Sequence, residues 1–154
     1  RHNADMVREL VRLADGKITF SWDIICGFPG ETDTLFNETL NLVHELRPIK
    51  IHAFPFSPRP DTVAANMPNQ INHSISKERV KIINNAANQN KSEFMRTMLN
   101  TTVSALVEEN NIARCPHDIA IKIGGEPIKS KTICDVQLLD VCGDIFVGQV
   151  ILDK

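Results

Sequence analysis

The chain has few aromatic residues and no closely spaced cysteines. Its 154 residues include no tyrosine and one tryptophan. The four cysteines (Cys26, Cys115, Cys134 and Cys142) form no CxxC or CxxxCxxC spacing, so the sequence carries no recognisable zinc or iron–sulfur motif. Cys26 and Cys134 lie in apolar runs, where small buried thiols are common. We therefore expect reduced core cysteines, as in a cytoplasmic protein.

Long apolar runs and an excess of one charge are also missing. No apolar run approaches the roughly 18 residues of a membrane span, and the sequence has no signal-peptide pattern. The net charge of −2 gives no overall sign of an electrostatic nucleic-acid binder. With 42% hydrophobic and 23% charged residues, the composition is that of a globular protein. We expect a cytoplasmic protein without a membrane partner.

The first half of the chain alternates helical and strand patterns. Apolar spacing predicts a helix over residues 4–14, and β-branched residues predict a strand over 18–26 that is covered on both faces. A second helix begins at Thr32 or Asp33 and ends before Pro48. The run "KIHAFPF" predicts another strand. This order is typical of βα units with a parallel sheet.

The second half changes character near residue 100. Ser76 is a candidate cap for a long helix over residues 77–98. Beyond it come four short alternating runs, "VSALVEE", "DIAIKI", "KTICDVQLLDV" and "IFVGQVIL". Turn signals separate them, which predicts a small sheet or barrel. We therefore predict two domains, residues 1–99 and 100–154.

Two long motifs carry a family resemblance. "DIICGFPGETDTLF" covers residues 23–36, and "HAFPFSPRPDTVAANMPNQI" covers residues 52–71, with "ER" following at 78–79. In this order they closely resemble the later half of the radical S-adenosylmethionine (AdoMet) domain of tRNA methylthiotransferases. The tail from about residue 100 is similar, less closely, to the small β-barrel TRAM domain that ends these enzymes. The fold class that the resemblance implies is α/β, a partial β/α barrel followed by a small all-β barrel.

The resemblance also implies a function for the complete enzyme. Such enzymes cleave AdoMet reductively and add a methylthio group to C2 of a modified adenosine beside the tRNA anticodon. The form "HAFPFS" favours the branch that acts on N6-threonylcarbamoyladenosine. The branches acting on isopentenyladenosine or on a ribosomal-protein aspartate are alternatives.

The first motif supplies candidate AdoMet contacts. Gly27 and Gly30 lack a Cβ, so a ligand can approach the backbone, and Pro29 stiffens the turn between them. Glu31 lies at a helix start, where its carboxylate can accept hydrogen bonds from a ribose or an ammonium group of AdoMet. The alternative is that its charge only stabilises the helix N-terminus. Asp23 is either a ligand contact or a satisfied core carboxylate.

The second motif supplies further candidates. The period of two places His52 and Phe54 on one strand face, where an aromatic ring can stack on adenine and His52 can make a polar contact. Ser57 follows the strand. Arg59 lies between two prolines, so its backbone is rigid and the direction of its guanidinium is fixed. This favours binding of a phosphate or a carboxylate, and an internal salt bridge is the alternative. Simple core packing is the alternative for the aromatic residues.

The tail is a weak candidate for RNA binding. Residues 101–154 carry five Lys and Arg against eight Asp and Glu, a formal charge of −3. Lys122, Lys129 and Lys131 form the one local cluster in the sequence of this segment. A packing role for the barrel is the alternative to tRNA binding.

The expected iron–sulfur ligands are missing from this sequence. Family members hold [4Fe–4S] clusters through thiolates, one set of them in a CxxxCxxC motif. The chain also opens "RHNADM" without an initiator methionine. We therefore expect the carboxyl-terminal part of an enzyme whose amino-terminal part is missing. Alone it is expected to be inactive and to bind neither AdoMet nor a cluster.

Two other classes of function stay open on the sequence. One is a non-catalytic RNA-binding or assembly module that needs a partner chain. The other is an unrelated α/β enzyme that seats a phosphate at the "GFPGET" loop.

Overall fold

A computed structural model describes residues 2–14 and 18–151 of the chain. They divide into two compact units, residues 1–91 and 92–154, and the division falls within the longest helix. None of the described helices is both long enough and apolar enough to cross a membrane.

The first unit is a two-stranded parallel sheet with helices. Its elements are α1 (His2–Ala14), β1 (Ser21–Cys26), α2 (Asp33–Leu46), β2 (Lys50–Pro55) and the start of α3 (His73–Thr97). The strands β1 and β2 pair in parallel from Ser21 opposite Lys50 to Cys26 opposite Pro55. The predicted parallel pairing is thus confirmed, whereas a partial β/α barrel remains a prediction.

Local signals explain the ends of α2. The Thr32 hydroxyl accepts a hydrogen bond from the Leu35 N–H (3.3 Å), which caps the helix as predicted. At the other end Arg47 adopts a left-handed conformation (φ 53°), and its N–H bonds the Val43 carbonyl. Pro48 follows, and a proline cannot continue the hydrogen-bonded ladder.

The start of α3 differs from the prediction. The helix begins at His73, where the Asn72 side chain accepts hydrogen bonds from the Ser74 N–H and hydroxyl, both at 2.9 Å. Ser76 is therefore not the cap but a buried residue inside the first turns. Asn is as good a cap as Ser, and it stands four residues earlier.

The core of the first unit lies on one side of the sheet. Buried side chains of β1, α2 and α3 form it: Cys26, Phe36, Val43, Ile83 and Ala86. The prediction that β1 is covered on both faces is wrong within the described residues, since Ser21, Asp23 and Ile25 are exposed. Helices α2 and α3 pack on the opposite face, which bears Trp22 and Ile24.

The second unit contains a closed five-stranded β-barrel. Its strands are β3 (Thr102–Val107), β4 (Ile112–Arg114), β5 (Ala120–Ile123), β6 (Ile133–Cys142) and β7 (Ile145–Val150). They are ordered β3-β4-β5-β7-β6, and the sheet closes because β6 pairs with β3. The predicted small barrel is confirmed. The sequence did not reveal β4, which at three residues is too short to show an alternation.

The barrel interior is filled by apolar side chains. Its buried members are Ala105, Val107, Ala113, Ile121, Ile123, Val136, Leu138 and Phe146. Gly148 on β7 is required by this packing, because a Cβ there would lie 2.6 Å from Val136 Cγ1 and 2.8 Å from the Gln137 carbonyl oxygen. Closure of a small barrel leaves no unpaired strand edge.

Candidate functional site

One face of the parallel sheet is exposed, and we call it the open face. It consists of three side-by-side pairs, Ser21 with Lys50, Asp23 with His52, and Ile25 with Phe54. The side chains alternate along each strand, so burying Trp22, Ile24, Ile51 and Ala53 necessarily turns these six outward. Ile25 and Phe54 are 57% and 55% exposed, which is unusual for large apolar residues side by side.

The structure brings the predicted pair Asp23 and His52 together on this face. They are partners in the register of β1 and β2, one pair before Ile25 and Phe54. The sheet thus presents a polar pair followed by an apolar pair towards the carboxyl ends of the strands. Ligands of α/β proteins characteristically bind beyond those ends.

The segment that leaves β1 forms a tight loop, residues 27–31, which we call the glycine loop. Gly27 and Gly30 have φ angles of 79° and 86°, which L side chains rarely adopt. The Glu31 N–H donates to the Phe28 carbonyl (2.9 Å), which closes the turn. Pro29 is buried within the loop.

The two glycines face different surroundings. A Cβ on Gly27 would lie 1.9 Å from Ser76 Oγ, so its missing side chain is needed for packing against α3. Apart from its chain neighbours, no described residue has an atom within 4 Å of the Cβ position of Gly30, and the Gly30 N–H bonds the Asn69 carbonyl of a later loop (3.0 Å). Gly30 therefore leaves open space where a ligand can approach, whereas the space at Gly27 is filled.

The Glu31 carboxylate is engaged inside the protein. Its Oε2 accepts a hydrogen bond from the Gly27 N–H and one from Arg79 Nη1, both at 2.6 Å. The side chains of Glu31 and Arg79 are only 15% and 6% exposed. Glu31 therefore does more than stabilise a helix terminus, because its carboxylate connects the glycine loop to α3.

Arg79 also holds neighbouring groups. Its Nη1 donates to the Glu31 carbonyl (3.0 Å), and its Nη2 donates to Asp33 Oδ1 (2.6 Å). Its guanidinium carbon lies 5.2 Å from the centre of the Phe36 ring. Burial alone lowers the pKa of Arg79, but the hydrogen bonds that it donates to Asp33 and Glu31 outweigh burial and raise that pKa, so the side chain stays charged.

Cys26, at the end of β1, is not a reactive thiol. It is buried, and burial raises its pKa to about 11, with the Glu31 charge adding to the rise and the Arg79 charge opposing it. A thiol rather than a thiolate is present at neutral pH. This matches the prediction of a core cysteine.

The second motif places its residues around the ends of the strands. The Phe56 N–H bonds the Cys26 carbonyl (2.7 Å), and the Phe56 ring packs edge-on against Phe28 at 5.2 Å. Ser57 and Arg59 follow in the proline-rich loop and are exposed. Arg59 forms no ion pair with the residues that the structure describes, so the internal salt bridge considered for it is not formed there.

The three candidate lysines of the barrel unit occupy two places. Lys122 lies on β5, whereas Lys129 and Lys131 lie in the loop before β6, and all three are exposed. Lys131 lines an open groove of about 560 Å³ together with Glu108 and Glu109. This groove is therefore mixed in charge.

The described residues contain no candidate metal site. No group of three or more His, Cys, Asp or Glu side chains there is placed to hold a metal ion. The residues present do not fit an iron–sulfur cluster, which needs several converging thiolates.

Sequence reasoning missed the role of Arg79. Arg79 belongs to the "ER" that follows the second motif, and it lies three residues after Ser76 and four before Ile83, both of them buried. Residues at these spacings share a helix face, and a buried arginine needs carboxylate partners. The position of Arg79 on the same helix face as Ile83 was the signal in the sequence that it is buried and paired with carboxylates.

Comparison with curated proteins connects the chain to one family. It is 30% identical, over 92% of its length, to the tRNA-2-methylthio-N(6)-dimethylallyladenosine synthase of Bartonella bacilliformis. It is 37% identical, over 80% of its length, to the threonylcarbamoyladenosine tRNA methylthiotransferase of Rickettsia prowazekii. It is 38% identical, over 66% of its length, to the Alcanivorax borkumensis tRNA-2-methylthio-N(6)-dimethylallyladenosine synthase. No protein-family model matches the chain.

The resemblance seen in the two motifs is thus confirmed over most of the chain. By sequence, the chain belongs to the tRNA methylthiotransferases. It covers 32% of the Bartonella protein, 30% of the Rickettsia protein and 23% of the Alcanivorax protein, so it spans a third or less of these relatives.

Proposed function

We propose that the chain is the carboxyl-terminal part of a tRNA methylthiotransferase and that its open face and glycine loop form one wall of an AdoMet site. Residues 1–99 belong to a β/α barrel completed by other parts of the enzyme, and residues 100–154 form a TRAM-like domain. The observation that carries this proposal is the exposed row of Asp23, His52, Ile25 and Phe54, together with the open space at Gly30 in the loop that leaves β1.

The chemistry of this wall suits AdoMet. The exposed Phe54 ring and Ile25 offer an apolar surface for the adenine. Asp23 can accept hydrogen bonds from ribose hydroxyls or from the ammonium group, and His52 beside it adds a polar contact. Arg59, which is exposed in the proline-rich loop, suits the methionyl carboxylate because its planar fork binds carboxylates in a bidentate manner.

The iron–sulfur chemistry belongs outside this chain. A [4Fe–4S] cluster supplies the electron that cleaves AdoMet in such enzymes, and the described residues do not fit one. The contribution of this chain is to bind and orient AdoMet. By itself it is expected to be inactive.

The proposed substrate is N6-threonylcarbamoyladenosine in a tRNA, modified at C2 with a methylthio group. The "HAFPFS" form supports this choice, and the Rickettsia protein is a relative named for this substrate. The synthases named for dimethylallyladenosine supply the alternative substrate. Both substrates are tRNA nucleosides, so we propose tRNA as the partner and the cytoplasm as the location.

Nucleoside analysis tests the proposal. tRNA is digested from cells with and without the gene that encodes this chain, and methylthiolated adenosines are measured by mass spectrometry. We expect loss of the methylthio group from threonylcarbamoyladenosine, restored by the wild-type gene and not by one encoding Asp23→Asn and His52→Ala. Loss from dimethylallyladenosine instead would reassign the substrate, and no loss from either would overturn the function.

The lysines provide a second test. If Lys122, Lys129 and Lys131 contact tRNA phosphates, replacing all three with glutamine weakens tRNA binding and makes it less dependent on salt. The matched control replaces Lys77 and Lys81, exposed on α3, in the same way. An unchanged salt dependence would favour a packing role for the barrel.

A further inference from the structure

We infer that Arg79 is a positioning residue for AdoMet that acts through Glu31, and that Glu31 fixes the glycine loop rather than touching the ligand. This inference builds on the proposed function, because it concerns the same site. Arg79 lies on α3, outside both motif segments that supply the candidate contacts.

The first step of the argument is the geometry of Glu31. The same carboxylate oxygen accepts hydrogen bonds from the Gly27 N–H and from Arg79, each at 2.6 Å. Charge-assisted hydrogen bonds of this length are among the stronger ones in proteins. The carboxylate is thus directed into the protein, towards α3, and its charge is already matched.

The second step is what this pair holds in place. Gly27 and Glu31 are the two ends of the glycine loop, and Arg79 also bonds the Glu31 carbonyl (3.0 Å). Between the two ends lie the exposed Phe28 ring and the open space at Gly30. Arg79 therefore sets the shape of the surface that a ligand meets, although its own side chain is buried.

The third step separates the two arms of the guanidinium. Nη1 holds the loop through Glu31, whereas Nη2 bonds Asp33, whose side chain is 93% exposed. Asp33 lies outside the glycine loop, so removing its charge leaves the contacts of Nη1 with Glu31 in place. Asp33→Asn therefore serves as a matched control that disturbs the same arginine without releasing the loop.

A second control separates positioning from general stability. Asn90 is buried on the same helix, and its amide donates to the carbonyls of Val43 (3.1 Å) and Pro48 (3.3 Å), away from the glycine loop. Asn90→Ala removes two buried hydrogen bonds and is expected to lower the melting temperature. It leaves the Glu31–Arg79 pair intact.

The experiment measures AdoMet affinity in the complete enzyme by calorimetry, well below the melting temperature of every variant. Arg79→Met, Arg79→Lys and Glu31→Gln are compared with Asp33→Asn and Asn90→Ala. We expect Arg79→Met and Glu31→Gln to weaken AdoMet binding about tenfold to a hundredfold. Arg79→Lys keeps the charge and is expected to lose less affinity. It also replaces Arg79→Met in the comparison if Arg79→Met does not fold. Both controls are expected to keep the wild-type affinity.

The double variant Arg79→Met, Glu31→Gln decides how Glu31 acts. If Glu31 works through the loop, the double variant binds AdoMet no more weakly than the weaker single variant. Additive losses would mean that Glu31 contacts AdoMet directly and would overturn the inference. An equal loss of affinity in Asn90→Ala would overturn it as well, because stability alone would then account for the effect.

Hydrogen exchange at the Gly27 amide gives a readout that needs no ligand. Faster exchange in Arg79→Met but not in Asn90→Ala is expected. If the wild-type enzyme does not bind AdoMet, the proposed function fails, whereas unchanged Gly27 exchange in Arg79→Met overturns the positioning role by itself.

Discussion

Asp23 on β1 lies directly beside His52 on β2, on the exposed face of a parallel pair whose other face is buried. Each strand contributes one polar group at the same level, although 28 residues separate the two in the sequence. Both side chains are exposed among the described residues, and their role as ligand contacts stays a prediction.

Replacing Asp23 with asparagine or His52 with alanine is expected to weaken AdoMet binding by the complete enzyme about tenfold or more, since a hydrogen bond to a charged group is lost. The melting temperature of the present chain by itself is expected to change little, because both side chains are exposed in it. Ser21→Ala, on the same face and one pair further from the glycine loop, is the control. Calorimetric titration and melting curves measure the two quantities, and unchanged affinity in both variants would contradict the assignment.

Phe54→Ala is expected to reduce AdoMet affinity at little cost in stability, because the ring is more than half exposed and already faces solvent. Phe36→Ala removes a buried ring from the core and is expected to lower the free energy of unfolding by about 3–5 kcal/mol. Denaturant unfolding of both variants tests the contrast. Equal destabilisation by the two substitutions would show that Phe54 is a core residue.

Gly27→Ala is expected to destabilise the first unit more than Gly30→Ala. Both alanines would suffer backbone strain of about 1–2 kcal/mol at positive φ, but only the one at position 27 would also collide with Ser76. Adding Ser76→Gly to Gly27→Ala removes the colliding atoms, so the double variant is expected to lose less stability than the sum of the two single changes. Denaturant unfolding measures each free energy, and strict additivity would argue against this packing.

In the barrel, Gly148→Ala is expected to lower the free energy of unfolding by about 1–3 kcal/mol through overpacking. Its Cβ would lie 2.6 Å from Val136 Cγ1, whereas at Gly124 the nearest atom would be 4.0 Å away. Gly124→Ala is the matched control. Similar melting curves for the two variants would contradict the packing around Gly148.

The thiols are expected to differ in reactivity. Because burial raises the pKa of Cys26 to about 11, this thiol stays protonated from neutral pH up to about pH 10, while Cys142 is exposed. Iodoacetamide at pH 8 is therefore expected to modify Cys142 first and to spare Cys26 until the protein is denatured. Peptide mass mapping reads out the order, and rapid labelling of native Cys26 would contradict its burial.

Local patterns were sufficient for much of the fold. Thr32 followed by an apolar period of 3.6 residues predicted α2, and the alternating runs after residue 100 predicted most of the barrel strands. Two long motifs also identify the family. These signals succeed because capping, side-chain periodicity and sequence motifs depend on residues close together along the chain.

The sequence by itself determined the parallel pair and the small barrel, and it predicted Asp23, His52 and Phe54, which share the open face. Only the tertiary structure decided which residues Gly27 and Glu31 contact. Gly27 and Ser76, or Glu31 and Arg79, are 48 or more residues apart, and their contact depends on α3 packing across the end of β1. The exposure of the open face likewise depends on which side of the sheet the helices cover, because strand periodicity separates two faces but does not say which one is buried.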